Sequence, residues 1–324
     1  MEVDDPRLAP GLRELEKLKQ DHFGEGKGRI SIIKGANFIS RVAGESGQYL
    51  LGASRIAKLT DSRPKCSVHV ELPDPNHFVV WNSVWFVAQN LKPITMFDMT
   101  GKKVKDSQQI ALVEPGRHLY TTLKGVYFRN RGHVISLDRK LKEATVYQTP
   151  GDIQDFFVCP KTETITTLEW EKLKFFLRQG SHELQIPKST PSSRSSLLKK
   201  MYSDHFLVGE TNSDFESGRL HLVRAVPPKR YHFIKTPNKL DSSIQNIRLL
   251  APRQGISCFL VAMSRTLELF CEYRLKLYHL KTLEINLVPK CLSHHSFGLW
   301  MVAGKNYAIL SVRVDFSKCP ALQL

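Results

Sequence analysis

Paired cysteines are missing from this sequence. Its six, at Cys66, Cys159, Cys258, Cys271, Cys291 and Cys319, are widely spread with no C-x-x-C among them. That usage suits free thiols in a reducing compartment and argues against a disulfide framework. No Asn-x-Ser/Thr acceptor occurs either. Long apolar runs are lacking too: the longest, near residues 258–263, falls far short of the roughly 18 residues that a bilayer-crossing helix needs. The acidic start Met1-Glu2-Val3-Asp4-Asp5 has no basic n-region. The expectation is a soluble protein of the cytoplasm or nucleus, without a transmembrane segment and with little tendency to bind membranes.

Catalytic signatures are scarce as well. There is no G-x-S-x-G elbow, no H-E-x-x-H and no EF-hand loop. Gly24-Glu25-Gly26-Lys27-Gly28 fits neither phosphate-binding glycine pattern and reads as a flexible joint. Cys291 with His294 and His295 offers donor atoms of metal-ligating type, but zinc needs four of them and the other candidates are scattered, so the histidines read as turn residues. Asp61, Asp98 and Asp138 recur at or just after a third strand, where a short carboxylate caps a turn. The expectation is a non-enzymatic protein with no cofactor and no metal.

What the sequence does contain is short β-rich runs separated by tight polar turns. Residues 117–149 set the pattern: runs at 119–122, 126–128, 133–137 and 144–147, none long enough for an amphipathic helix, reading as a four-stranded antiparallel meander. Similar units span 36–72, 76–113, 152–187, about 197–234 and about 243–280. A last piece has only three runs, at 283–291, 299–302 and 307–312, while residues 29–33 are a spare run at the start. Pairing the two completes seven units and removes the open edges of a linear array. Outside this series, Leu12, Leu15 and Leu18 lie at helical spacing, so residues 1–28 read as a short helical arm and joint. Residues 188–200, rich in Ser, Pro and basic residues, read as a mobile insertion; Ser192, Ser193, Ser195 and Ser196 beside Arg194 are candidate phosphorylation sites.

This spacing resembles that of the WD40-like β-propeller superfamily over about residues 29–318. The resemblance is one of pattern. None of Trp81, Trp85, Trp170 and Trp300 is followed by Asp, and Gly132-His133 falls inside a unit where the family's Gly-His would not stand. It implies an all-β, seven-bladed propeller closed by its N-terminal strand, at residues 29–324, acting as a platform for protein partners in an intracellular complex. Short alternating strands also suit two stacked sheets.

Charge supplies the one functional signal. The formal net charge of +16 attracts acidic or phosphate-bearing partners. Basic residues recur where third strands turn into fourth: Arg63 and Lys65; Lys102, Lys103 and Lys105; Arg139, Lys140 and Lys142; Lys229 and Arg230; Arg274 and Lys276. In a propeller these turns share one rim, giving a basic face for a protein partner or, alternatively, for RNA. The turns joining second to third strands read as more mixed, with Glu169, Glu171, Glu210, Asp214 and Glu216. Polar turns and solvated lysines account for the same pattern without any ligand. Phe128-Arg129-Asn130-Arg131-Gly132 is similar to the Phe-Arg-Arg-Gly signature of phosphoinositide-binding propellers, with Asn130 interrupting the arginine pair.

Overall fold

The structure is a computed structural model. It describes residues 31–34, 36–40, 48–52, 55–60, 63–69, 77–89, 91–112, 119–138, 140–186, 194–201, 205–211, 217–226, 230–234, 239–240, 244–250, 257–273, 276–284, 288–295, 298–303 and 307–311. These residues hold strands and turns and no helix. The expected helical arm at residues 1–28 lies outside them.

In chain order, β1 (Ser31–Lys34) is followed by a meander of β2 (Ala36–Ser40), β3 (Gln48–Gly52), β4 (Arg55–Thr60) and β5 (Arg63–His69). The next comprises β6 (His77–Trp81), β7 (Val84–Ala88), β8 (Lys92–Asp98) and β9 (Lys103–Ala111). Then come β10 (Tyr120–Thr121), β11 (Val126–Asn130), β12 (His133–Leu137) and β13 (Glu143–Gln148). The fourth meander has β14 (Asp152–Val158), β15 (Ile165–Glu171), β16 (Lys174–Gln179) and β17 (His182–Ile186). The fifth has β18 (Arg194–Lys200), β19 (His205–Thr211), β20 (Gly218–Val226) and β21 (Arg230–Ile234), with β22 (Lys239–Leu240) also on β20. The sixth has β23 (Asn246–Leu249), β24 (Ser257–Ala262), β25 (Thr266–Tyr273) and β26 (Lys276–Glu284). Finally β27 (Pro289–His295), β28 (Gly298–Ala303) and β29 (Tyr307–Ser311) form a sheet whose outer strand is β1, with Ile32 opposite Ile309 and Ile33 opposite Ala308.

Two boundaries differ from the sequence reading. The insertion expected over 188–200 gives its second half to β18, because residues 194–200 pair with β19 in a register that runs from Arg194 opposite Thr211 to Lys200 opposite Phe206. The final sheet starts at Pro289, since Leu283 and Glu284 continue β26 opposite Leu267 and Thr266.

The chain divides into two compact units, Asn76–Ile244 and the remainder. Within Asn76–Ile244, neighbouring meanders pack face to face. Successive side chains of a strand point to opposite faces, so a strand covered on both sides must be apolar at consecutive positions. In β11, Val126 and Phe128 enter the core shared with β6–β9, beside Trp81, Phe86 and Met96. Tyr127, between them, enters the next core with Ile153, Phe156 and Val158. A third core joins Leu168, Phe175 and Leu177 to Leu198, Phe206 and Val208. Buried polar groups tie the layers together: Trp81 Nε1 donates to the Thr122 carbonyl at 2.8 Å, and Asp155 accepts from the Leu198 amide at 2.8 Å. In the other unit, Phe259 stacks on Phe270 with ring centroids 5.5 Å apart, and Glu268 accepts from Thr266 and Thr282 and meets His279 at 2.8 Å.

Gly132, in the β11–β12 turn, is required by close approach. A Cβ there would stand 2.5 Å from the Thr149 carbonyl oxygen and 2.9 Å from that of Gly151. Both neighbours are backbone, and the Thr149 amide donates to the Gly132 carbonyl at 2.9 Å, so neither can yield cheaply. Gly132→Ala is expected to cost about 1–3 kcal/mol of stability, as overpacking does, read as a lowered denaturation midpoint.

Candidate interaction surface

In unit Asn76–Ile244 the β8–β9 and β12–β13 hairpins are built alike. Asp98 ends β8, and its carboxylate accepts from the Thr100 amide and hydroxyl and from the Lys102 amide at 2.9, 2.6 and 3.0 Å. Asp138 follows β12 and accepts from the Lys140 and Lys142 amides at 2.8 and 2.9 Å. The Thr100 hydroxyl, with the amides of Lys102 and Thr100, holds the Asp98 carboxyl below its usual range; the amides of Lys142 and Lys140 do the same for Asp138. The turn-capping role expected for these two aspartates is the one they fill; Asp61 lies outside the described residues.

The hairpins place the candidate cations. Lys102 is in its turn, while Lys103 begins β9 and Lys105 follows a bulge, the two standing opposite Phe97 and Met96. Arg63 begins β5 with Lys65 two residues on, and Arg230 and Lys276 are the first residues of β21 and β26. Six of the twelve thus lie in the fourth strand of their sheet, at or close to its start and just past the turn. Arg139, Lys229 and Arg274 lie outside the described residues. Lys140 and Lys142 are exposed.

Part of this charge is already matched. Lys103 is 2.7 Å from Asp106, and Lys105 Nζ donates to the Leu141 carbonyl at 2.5 Å. Glu143 accepts from the Gln108 and Gln109 amides, joining β13 to β9. At the same end, Lys124 meets Glu163 at 2.6 Å and its ammonium is held above its ordinary range by that contact. Lys102, Lys140 and Lys142 form no ion pair among the described residues. Asp98, Asp106, Asp138 and Glu143 stand among the lysines, so the field at this end is weaker than the cations alone imply.

At the other end the sequence reading needs correction. Glu169 and Glu210 are not turn residues: both are buried within their strands. Glu210 meets His221 at 2.5 Å. Glu169 accepts from Thr149, Thr167 and Tyr147, each at 2.5 Å, and from Arg178 Nη1. Arg178 also donates to Glu171 at 2.8 Å and Glu183 at 2.7 Å, and its guanidinium stacks on Phe176 at 4.8 Å. This cluster joins the end of the third meander to the fourth and was invisible as a unit in the sequence, because its members are spread from 147 to 183. Asp214 and Glu216 lie outside the described residues. Arg129, from the motif similar to the lipid-binding signature, is buried and donates to the Ile153 carbonyl, which withdraws it from any headgroup.

No described helix is long and apolar enough to cross a membrane. Among the described residues no group of three or more His, Cys, Asp or Glu side chains converges as a metal site would require.

No protein-family model matches the chain, and no curated protein matches it in sequence. Solved structures do. Virginiamycin B lyase from Staphylococcus aureus aligns over 89% of this chain and 100% of its own, at 12% identity and a TM-score of 0.60. A chain of the mitotic checkpoint complex aligns over 89% and 95%, at 9% identity and 0.64. The WD40 β-propeller domain of Doa1 aligns over 90% and 96%, at 11% identity and 0.58. The fold is therefore that of the WD40-like and related β-propellers. These likenesses carry the fold alone, and they include both a lyase and a member of a multiprotein complex.

Proposed function

We propose that this protein is a non-enzymatic scaffold: a seven-bladed propeller over residues 29–324, closed by β1, with residues 1–28 as a helical arm, docking protein partners in an intracellular complex. The observation that carries it is the pairing of β1 with β29, which ties the start of the described chain to its end and supports a closed propeller displaying its turns for recognition. Propellers solved within assemblies, including BBS1N in complex with ARL6DN at 11% identity and a TM-score of 0.60, are consistent with that use; the argument from fold to role is analogy. The test is the native mass of the protein isolated at its own abundance. A stable assembly well above the 37.0 kDa of one chain is expected, and a solitary monomer would count against the scaffold.

RNA binding is the second reading, favoured by the repeated cations at two-residue spacing, Arg63/Lys65, Lys103/Lys105 and Lys140/Lys142. Counterion release makes log K fall with log salt, with a slope near −0.7 per phosphate contacted on a single strand. Converting Lys102, Lys140 and Lys142 to Glu is expected to weaken binding to a mixed-sequence RNA across all sequences and flatten that slope by about two units. A parent protein with no salt-sensitive RNA binding removes this reading.

A further inference from the structure

Left-handed backbone occurs at both ends of the unit Asn76–Ile244, but among the described residues only the turns joining second to third strands set exposed leucines on it; at the other end Asn82, Ser83, Leu141 and Glu163 are polar or half-buried. Leu91, before β8, has φ of 56° and is 63% exposed. Lys172 and Leu173 form the two-residue turn between β15 and β16, with φ of 47° and 65°, and Leu173 is 75% exposed. Arg131, at the β11–β12 turn, has φ of 46° and is exposed. A left-handed backbone costs a side-chain-bearing residue energy that Gly, or to a lesser degree Asn, avoids, and a two-residue turn with both φ positive favours Asn-Gly. Leucines here gain neither good backbone geometry nor burial. Residues held in sparsely populated conformations cluster at recognition sites, and the inference runs from the observed outlier to the role.

The three tips are continuous. The Leu91 amide donates to the Ala111 carbonyl at 3.1 Å, the adjoining Leu112 amide to Arg129 at 2.9 Å, and the Ile153 amide to the Arg131 carbonyl at 3.0 Å. Gly151 then lies against the backbone before the next tip: a Cβ on it would be 3.0 Å from the Trp170 oxygen. The charge at this end is positive. Lys92, Arg131, Lys172 and Lys174 are exposed. Against them stand exposed Asp152 and Glu171, which already holds Arg178 and is 3.9 Å from Lys172. On the opposite end Leu123 is 85% exposed, but it does not share the left-handed backbone, and its neighbour Lys124 is engaged by Glu163.

We infer that the surface spanning Leu91, Arg131, Lys172 and Leu173 docks an acidic amphipathic segment of a partner protein, its leucine-type side chains packing on Leu91 and Leu173 and its carboxylates facing the four cations. This rests on the scaffold reading above and names one of its contact surfaces. Aliphatic tips offer bases no stacking platform, which disfavours single-stranded nucleic acid. Asp152 among the cations disfavours an anionic bilayer.

The test uses the full chain and a labelled 20-residue helical peptide with two Leu about 14 residues apart, roughly the 20 Å that separates the first and third of three packed sheets, each flanked by Glu, beside a control with Lys in place of Glu. The Glu peptide is expected to bind and the Lys peptide not to. Lys172→Asn with Leu173→Gly installs the preferred turn pair, and Leu91→Asn relieves the other tip, so the combined variant should melt no lower than the parent while losing at least tenfold in affinity. Arg131→Glu should weaken binding and reduce its salt dependence. Equal binding of both peptides, no binding of either, unchanged affinity in the combined variant, or tip-dependent binding of phosphatidylserine vesicles or RNA instead would overturn the assignment. If the combined variant also retains the full native assembly, the docking site falls and the scaffold stands; a solitary parent removes both.

Discussion

Arg178→Ala is expected to destabilise the protein by about 3–5 kcal/mol, the cost of leaving a buried carboxylate without its counter-charge. Glu169 is fully buried, and Arg178 is the one cation bonded to it among the described residues. The effect has a distinctive pH dependence. Burial alone would raise the Glu169 carboxyl, but the hydroxyls of Thr149, Thr167 and Tyr147 and the Arg178 guanidinium together bring it below the ordinary value of 4.5. A depressed folded-state value contributes stability that is present above the unfolded pKa and lost as pH falls through the folded one. In the variant the guanidinium is gone while the three hydroxyls remain, so the carboxyl is less depressed, and the loss should shrink as pH falls through the carboxylate range below 4.5. On the alkaline side, burial and then the Glu169 bond push the Tyr147 hydroxyl up to about 12, so its contribution holds below pH 10 and fades as pH rises through 12. Urea unfolding at pH 7 and pH 3 checks the prediction. A parent-to-variant difference that does not shrink at pH 3 would mean that Arg178 acts by packing on Phe176 and not by charge.

The contrast between what was readable and what was not follows from the range of the interactions. Many strand positions were legible because inner strands such as β11 and β24 are covered on both faces, so runs such as Val126-Tyr127-Phe128 and residues 258–261 are apolar at consecutive positions. The return of β1 was legible by counting, one strand short at one end and one spare at the other. Asp98 and Asp138 were legible as caps, since a cap is a local bond over two to four residues. The Glu169 cluster was not: Tyr147 and Thr149 reach it only because two meanders pack, and no local pattern encodes that. The strained tips were hidden for the opposite reason. Leu173 reads as the start of a strand, and nothing in Lys172-Leu173 announces a left-handed turn; the geometry follows from the register that sets Glu171 opposite Lys174. The rim charge was half legible, because cations were counted where the caps that place them are themselves carboxylates.

Removing residues 1–34 is expected to have the largest effect of any change considered, more than about 5 kcal/mol. The reason is backbone pairing. Ser31 to Lys34 lie opposite Leu310 to Tyr307, and β1 is the outer strand of that sheet. Without it the edge of β29 presents unpaired amides and carbonyls, a template for pairing with another chain, so the shortened protein should associate as well as unfold early. Proline at single positions separates pairing from sequence content. Successive amides of an edge strand point alternately towards its neighbour and towards solvent, so of Ile32→Pro and Ile33→Pro one should be severely destabilising and the other much milder. A peptide of residues 29–36 added to the shortened protein should restore part of its stability by supplying the missing strand. If both prolines are equally mild and the shortened protein melts with the parent, β1 is dispensable, and the closed ring on which the scaffold reading depends loses its fastening.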